Sequence, residues 1–218
     1  MTADFGASAA AVLYGAGAAV LFGVRSVRHR RATGSSGYAG FTRGRSRAAR
    51  AAGAGFAAAV VAGLTSPVLA RLHVLPLLGR PEHWTGSVGV LAGMAVTGVG
   101  FWAAVLSQEA MGPSWRIGVD ETERTDLVTG GVFGLVRNPI FTAMVVAQAG
   151  TTLMAPTWLS VAATALLVAA VELQVRRVEE PHLTAVHGPA YTDYAARTGR
   201  FWPGVGRLAG VPAGRGAC

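Results

Sequence analysis

The sequence predicts an all-α fold, an integral membrane helical bundle of about five transmembrane helices. Three observations predict it. Charged residues make up 14% of the 218 and hydrophobic ones 51%, whereas about a quarter of a soluble globular chain is charged. The mean hydropathy is +0.42, and the charges are absent from long runs instead of being thinned evenly. The arginines gather between alternate runs, the asymmetry that marks the cytoplasmic side of a bilayer. A disordered chain is excluded, because such chains are polar and poor in apolar residues.

The first three uncharged runs, Phe5 to Val24, Ala51 to Ala70 and Thr85 to Leu106, hold 20, 20 and 22 residues. A bilayer core takes about 20 apolar residues as helix. The first run reads as a retained anchor and not as a signal peptide, since its positive charges follow the apolar stretch from Arg25 onward. The fourth run, Asn138 to Val171, is 34 residues long and is broken by Ala155-Pro156-Thr157. Proline there stops one helix before the next begins, so a tight hairpin is expected, Ile140 to Met154 and Trp158 to about Val171. Each arm is short, and four full spans is the fallback to five.

All 19 basic residues are arginine, against 11 acidic ones, for a net charge of +8. With five spans, 17 of the 19 lie on one face: eight from Arg25 to Arg50, three after the third span and six after the fifth. The positive-inside rule then puts the amino terminus outside and the carboxyl terminus in the cytoplasm of a multi-pass cell-membrane protein. The basic excess is thus a topology signal, the expected partner is the lipid bilayer, and no nucleic-acid partner is expected. The one cysteine, Cys218, allows no intramolecular disulfide. His182 and His187 have no companions at ligand spacing, so no metal is expected.

Small residues crowd the first three spans, as in Gly15-Ala16-Gly17 and from Gly89 to Gly100, and let helices approach closely in lipid. Gly93 and Gly98 are not spaced as a GxxxG pair. The chain divides into residues 1–106, three helices with a basic loop at 25–50; residues 107–203, where the polar chemistry concentrates; and a flexible tail, 204–218.

Two segments of the middle region carry that chemistry. The connection from Ser107 to Arg137 is long, and long connections are usually functional or disordered. It contains Trp115, Leu127, Val128, Phe133 and Leu135, which a disordered tether would not need, and Gly130-Gly131, which permits close approach of a ligand. Arg137-Asn138-Pro139 follows; read plainly, it is an anchoring arginine, an N-cap asparagine and a proline at the first helical position. The second segment, Glu172 to Pro203, continues the last helix out of the membrane. Arg176 and Glu180 stand four apart, the spacing of an exposed ion pair. Yet the neighbouring carboxylates Glu179 and Glu180 repel each other and call for a cation. Tyr191, Tyr194, Phe201 and Trp202 fit an interfacial aromatic belt.

The strings LVTGGVFGLVRNPIF and EEPHLTAVHGPAYTDYAARTGRFWP, separated by a hydrophobic hairpin, resemble the isoprenylcysteine carboxyl methyltransferase family. These are membrane enzymes that use S-adenosylmethionine and are related to phospholipid methyltransferases. The resemblance covers about Met111 to Pro203 and implies that residues 107–203, as loop, hairpin and C-terminal helices, form the cofactor pocket. It implies that Asn138, Pro139, Ile140 and Phe141 line this pocket, that Thr125, Asp126, Leu127, Val128 and Phe133 supply the rest of its wall, and that Glu179 meets the cofactor. By the same resemblance Arg176 is the nearest candidate for a substrate contact. Chemically, Glu179 and Glu180 suit the cofactor's cationic groups or ribose hydroxyls, and Arg137 suits its methionine carboxylate.

The chain departs from the family pattern at three places: Asn138 replaces a histidine, and Phe133 and Phe141 replace tyrosines. A histidine base in this box is therefore ruled out. The expected activity is transfer of a methyl group from S-adenosylmethionine to a lipophilic acceptor, with the carboxylate of a prenylated cysteine, isoprenoid acids, thiols and phospholipid amines all open. Two other readings stand beside it: an NADPH-dependent membrane reductase of the sterol-reductase type, and a non-catalytic membrane protein.

Overall fold

The computed structural model describes residues 2–34, 46–78, 87–112 and 126–208. Six helices order the described residues: α1 (Thr2–Thr33), α2 (Arg47–Arg71), α3 (Ser87–Met111), α4 (Pro139–Met154), α5 (Trp158–His187) and α6 (Pro189–Arg197). A single helical turn, Val132–Leu135, precedes α4. Among the described residues α1, α2, α3 and α5 are long and apolar enough to cross a membrane. Helix α4 has 16 residues, about 24 Å of rise against a hydrocarbon core of about 30 Å. The fallback of four full spans therefore describes the chain, with α4 as a shorter fifth rod.

The hairpin forms where Pro156 predicts it. Thr157 caps α5, its Oγ1 accepting from the Ser160 N–H at 3.0 Å while Ser160 Oγ accepts from the Thr157 N–H at 2.9 Å. The Thr157 hydroxyl also meets Ser66 Oγ of α2 at 2.7 Å. Away from water, such partners spare these hydroxyls the cost of an unpaired polar group. Both long helices at the hairpin's far end leave regular α geometry: α1 has a π stretch at Ala19–Val24 and α5 one at Val175–Glu179.

Small residues decide how the helices pack. Along α3, Gly93, Thr97, Gly100 and Ala104 recur at helical spacing and face Ala143, Ala147 and Gly150 of α4. A Cβ on Gly100 would lie 2.5 Å from the Ala147 nitrogen, and one on Gly93 would lie 2.7 Å from the Gly150 carbonyl. Backbones this close gain dispersion contacts that lipid cannot match. Gly98, which is not at GxxxG spacing from Gly93, meets nothing within 4 Å. Trp102, Leu91 and Val61 are exposed on the outer surface, which in lipid is the solvated side.

Candidate functional site

The arginine-rich ends of the rods converge on one cavity of about 220 Å³. Its apolar half is walled by Phe22 of α1, Phe56 of α2, Phe141 and Met144 of α4, and Ala170 and Val171 of α5. Phe56 stands edge-on to both Phe22 and Phe141, with ring centroids 6.2 and 6.3 Å apart. The polar half carries Gln108, Asp126, Asn138, Gln174 and Glu179. The cavity thus combines surfaces suited to hydrocarbon with groups suited to a charged, hydrogen-bonding ligand.

The polar wall is built by a clamp around Glu180. Arg137, just before α4, donates from Nη2 to Glu180 Oε1 at 2.6 Å, and Arg200 grips both oxygens, from Nε at 2.7 Å and Nη2 at 2.9 Å. All three side chains are buried. Such paired, charge-assisted bonds satisfy a carboxylate that would otherwise be costly to desolvate. Arg137 further donates to the carbonyls of Ala195, Thr198 and Gly206. The backbone follows the same seam: Arg137 N–H donates to Gly199 O at 2.8 Å and Asn138 N–H to Arg200 O at 3.1 Å. Gly199 has no room for a Cβ, which would sit 2.8 Å from the Gly204 nitrogen.

The structure gathers most of the sequence-predicted residues. Asp126, Leu127, Val128, Phe133, Arg137, Asn138, Pro139, Ile140, Phe141, Glu179 and Glu180 all line the cavity. Thr125 lies outside the described residues. Arg176 does not line the cavity; it is exposed and pairs with Glu172, one turn earlier, and not with Glu180. The expected Arg176–Glu180 pair fails because Glu180 turns inward to two other arginines. Asn138 makes no side-chain cap for α4; its Nδ2 donates to Arg200 O at 3.1 Å.

Tyr191 and Tyr194 are buried cavity-lining residues and not an interfacial belt; Trp202 alone of the four is exposed. Tyr194 OH donates to Phe133 O at 2.6 Å, and burial pushes its hydroxyl up to about 12. Burial likewise pushes Tyr191 up to about 12, with the Glu180 carboxylate adding to the shift, so both phenols stay protonated donors at neutral pH. The carboxylate bonds from Glu180 raise Arg200 above its ordinary value. The first five residues of the expected flexible tail fold back on this wall: Leu208 N–H donates to Ala195 O at 3.0 Å, and its side chain packs on the tyrosines.

Sequence reasoning missed Gln108, Gln174, Phe22 and Phe56. Gln108 donates from Nε2 to Leu21 O at 3.2 Å, within the π stretch of α1. No spacing in the primary chain announces this.

Among the described residues no cluster of three or more metal-ligating side chains occurs. The cavity's donor set fits S-adenosylmethionine. The Arg137 Nε–H is buried without a partner among the described residues, a donor for a carboxylate, and Glu179 places a carboxyl group in the same cavity.

Residues 88–190 match the family model of phospholipid methyltransferase. The match starts inside α3, ahead of the boundary expected at 107, and stops short of Arg200. Among solved structures the chain is similar to the eukaryotic intramembrane Ras methyltransferase, isoprenylcysteine carboxyl methyltransferase, without a monobody. The identity is 21% and the TM-score 0.47, over 73% of this chain and 53% of that one, so the chain spans about half that protein's length. No curated protein matches.

Proposed function

We propose that this chain, whose residues 88–190 match the phospholipid methyltransferase family model, is a membrane methyltransferase that takes its methyl group from S-adenosylmethionine held among the polar residues of the cavity. The observation that carries the reading is the bipartite cavity itself: a collar of Asn138, Glu179, Gln174 and Arg137 opens directly onto walls of Phe22, Phe56, Phe141 and Val171. The cofactor supplies an activated methyl on a sulfonium. Glu179 balances its positive charge, Arg137 Nε–H meets its carboxylate, and Phe133, Ile140 and Leu127 exclude water from the transfer. Catalysis is then chiefly positioning, since methyl transfer needs a nucleophile in line more than a strong base. The absence of a histidine at Asn138 is compatible with this chemistry.

The acceptor is lipophilic and enters from the bilayer with its chain along the aromatic walls. Among the described residues, the cavity presents Asp126, Glu179 and Glu180 against one guanidinium, Arg137, whose Nη2 holds Glu180 and whose Nε–H is left for the cofactor's carboxylate. This balance favours an amine-type or neutral acceptor over the carboxylate of a prenylated cysteine, which would face like charge. It also disfavours an NADPH-dependent reductase, whose cofactor brings several phosphate charges to a wall with three carboxyl groups and one guanidinium. Arginine placement supports an orientation with this cavity at the cytoplasmic face.

The test is binding of S-adenosylmethionine by the purified protein in detergent. Saturable binding that weakens in Glu179→Ala is expected; a wild-type protein that shows none rules the reading out. Labelled methyl donor added to membranes then identifies the acceptor, with label in phospholipid amines expected over label in prenylated peptides.

A further inference from the structure

Adjacent glutamates on a regular helix point about 100° apart and share one neighbourhood. Glu179 and Glu180 do not share a role, and the reason lies in α5. Residues Val175–Glu179 form a π turn, with one more residue per turn than the helix on either side. Residues five apart on an α-helix stand about 140° round from each other. In the π turn they stack. Gln174 and Glu179 are five apart, and Gln174 Nε2 donates to Glu179 Oε1 at 3.3 Å. Glu180, one step further, enters the arginine clamp. Gln174 itself is buried and lines the cavity.

We propose that Gln174 is a positioning residue, which the π turn of α5 sets against Glu179 to hold that carboxylate facing the cofactor end of the cavity. The proposal rests on the reading that Glu179 receives S-adenosylmethionine. The π turn makes two carboxylates of one dipeptide serve two purposes: Glu180 ties the wall together and Glu179 stays available to ligand. The amide is suited to the task. It donates to a carboxylate without neutralising it, where an arginine would form a full ion pair and compete with a cationic ligand.

The charged and titratable groups around Glu179 are Glu180 on the same helix, Arg137 before α4, Tyr191 on α6 and Asp126 on the connection. The Gln174 amide is the one hydrogen-bond partner of Glu179 among the described residues.

The experiment is a double-mutant cycle read by S-adenosylmethionine binding to the full-length protein in detergent. Gln174→Met keeps the length of the side chain and removes its donor. It is expected to raise the Kd about tenfold, the size of one hydrogen bond to a charged group, while the melting temperature without ligand stays within about 3 °C of wild type. In a Glu179→Gln background the same substitution is expected to have no further effect on Kd, because its influence runs through that carboxylate. Gln174→Glu, which sets like charge against Glu179, is expected to weaken binding more than Gln174→Met. Equal Kd values for wild type and Gln174→Met overturn the proposal, and so does a tenfold loss that persists in the Glu179→Gln background. A wild type with no saturable binding overturns the cofactor reading and this proposal with it, an outcome distinct from either.

Discussion

Arg137 and Glu180 are 43 residues apart in sequence and 2.6 Å apart in the fold. This pair fastens the start of α4 to the end of α5, and Arg200 completes it from the segment after α6. The polar wall of the cavity is therefore a three-way junction, each strand of which the other two hold.

Removing the central charge of this junction leaves two buried guanidiniums uncompensated. Glu180→Ala is expected to destabilise the protein by about 3–5 kcal/mol, as breaking a buried pair generally does. Arg200→Ala is expected to cost less, since the Arg137 bond to Glu180 survives it. Thermal melts of the purified variants check the order; a Glu180→Ala protein as stable as wild type contradicts the junction.

The seam between α3 and α4 has no spare volume at Gly100. Gly100→Ala drives a methyl group against the Ala147 backbone and is expected to cost about 1–3 kcal/mol by overpacking. Gly98→Ala, where nothing lies within 4 Å, is expected to be neutral or to stabilise by about 0.5 kcal/mol through the unfolded chain. The two melts compared decide the matter, and equal shifts count against close packing here.

Gln148 of α4 is buried, and neither atom of its amide has a partner among the described residues. An unsatisfied buried polar group costs about 1–3 kcal/mol. Gln148→Leu, close in volume and apolar, is expected to raise the melting temperature while leaving S-adenosylmethionine binding intact. A fall in melting temperature shows that the amide is satisfied in the folded protein.

The segment past the family match belongs to the site. Val205 O accepts from the Arg200 N–H at 2.7 Å, and Gly206 O accepts from Arg137 at 3.0 Å. Ending the chain after Pro203 removes both acceptors and the Leu208 packing. Loss of S-adenosylmethionine binding is expected, measured by the same titration; full affinity in the shortened protein shows that the polar wall stands without residues 204–208.

The legible parts were those that a local pattern records. Pro156 announced the hairpin, the Asn138-Pro139 pair announced the start of α4, and the wall from Asp126 to Phe141 followed from strings that resemble a known family. Gln174 and Gln108 left no such trace. Each is a neutral amide whose partner lies in a π turn, Leu21 for Gln108 and Glu179 for Gln174. Arg200 was counted as one more cytoplasmic arginine, although it binds both carboxylate oxygens of Glu180 in the cavity wall.

Taken alone, the sequence determined that this chain lies in a membrane, where its apolar rods run, and which end of them carries the polar chemistry. Those properties follow from hydropathy and charge summed over some twenty residues, and summation needs no knowledge of contacts. Only the tertiary structure decided which charges are spent on one another. Arg137 is held by Glu180 and three carbonyls, Arg176 turns outward, and Glu179 is left to the cavity. Pairing inside a low-dielectric wall depends on distances of about 3 Å between residues far apart in the chain, and no composition or spacing encodes them.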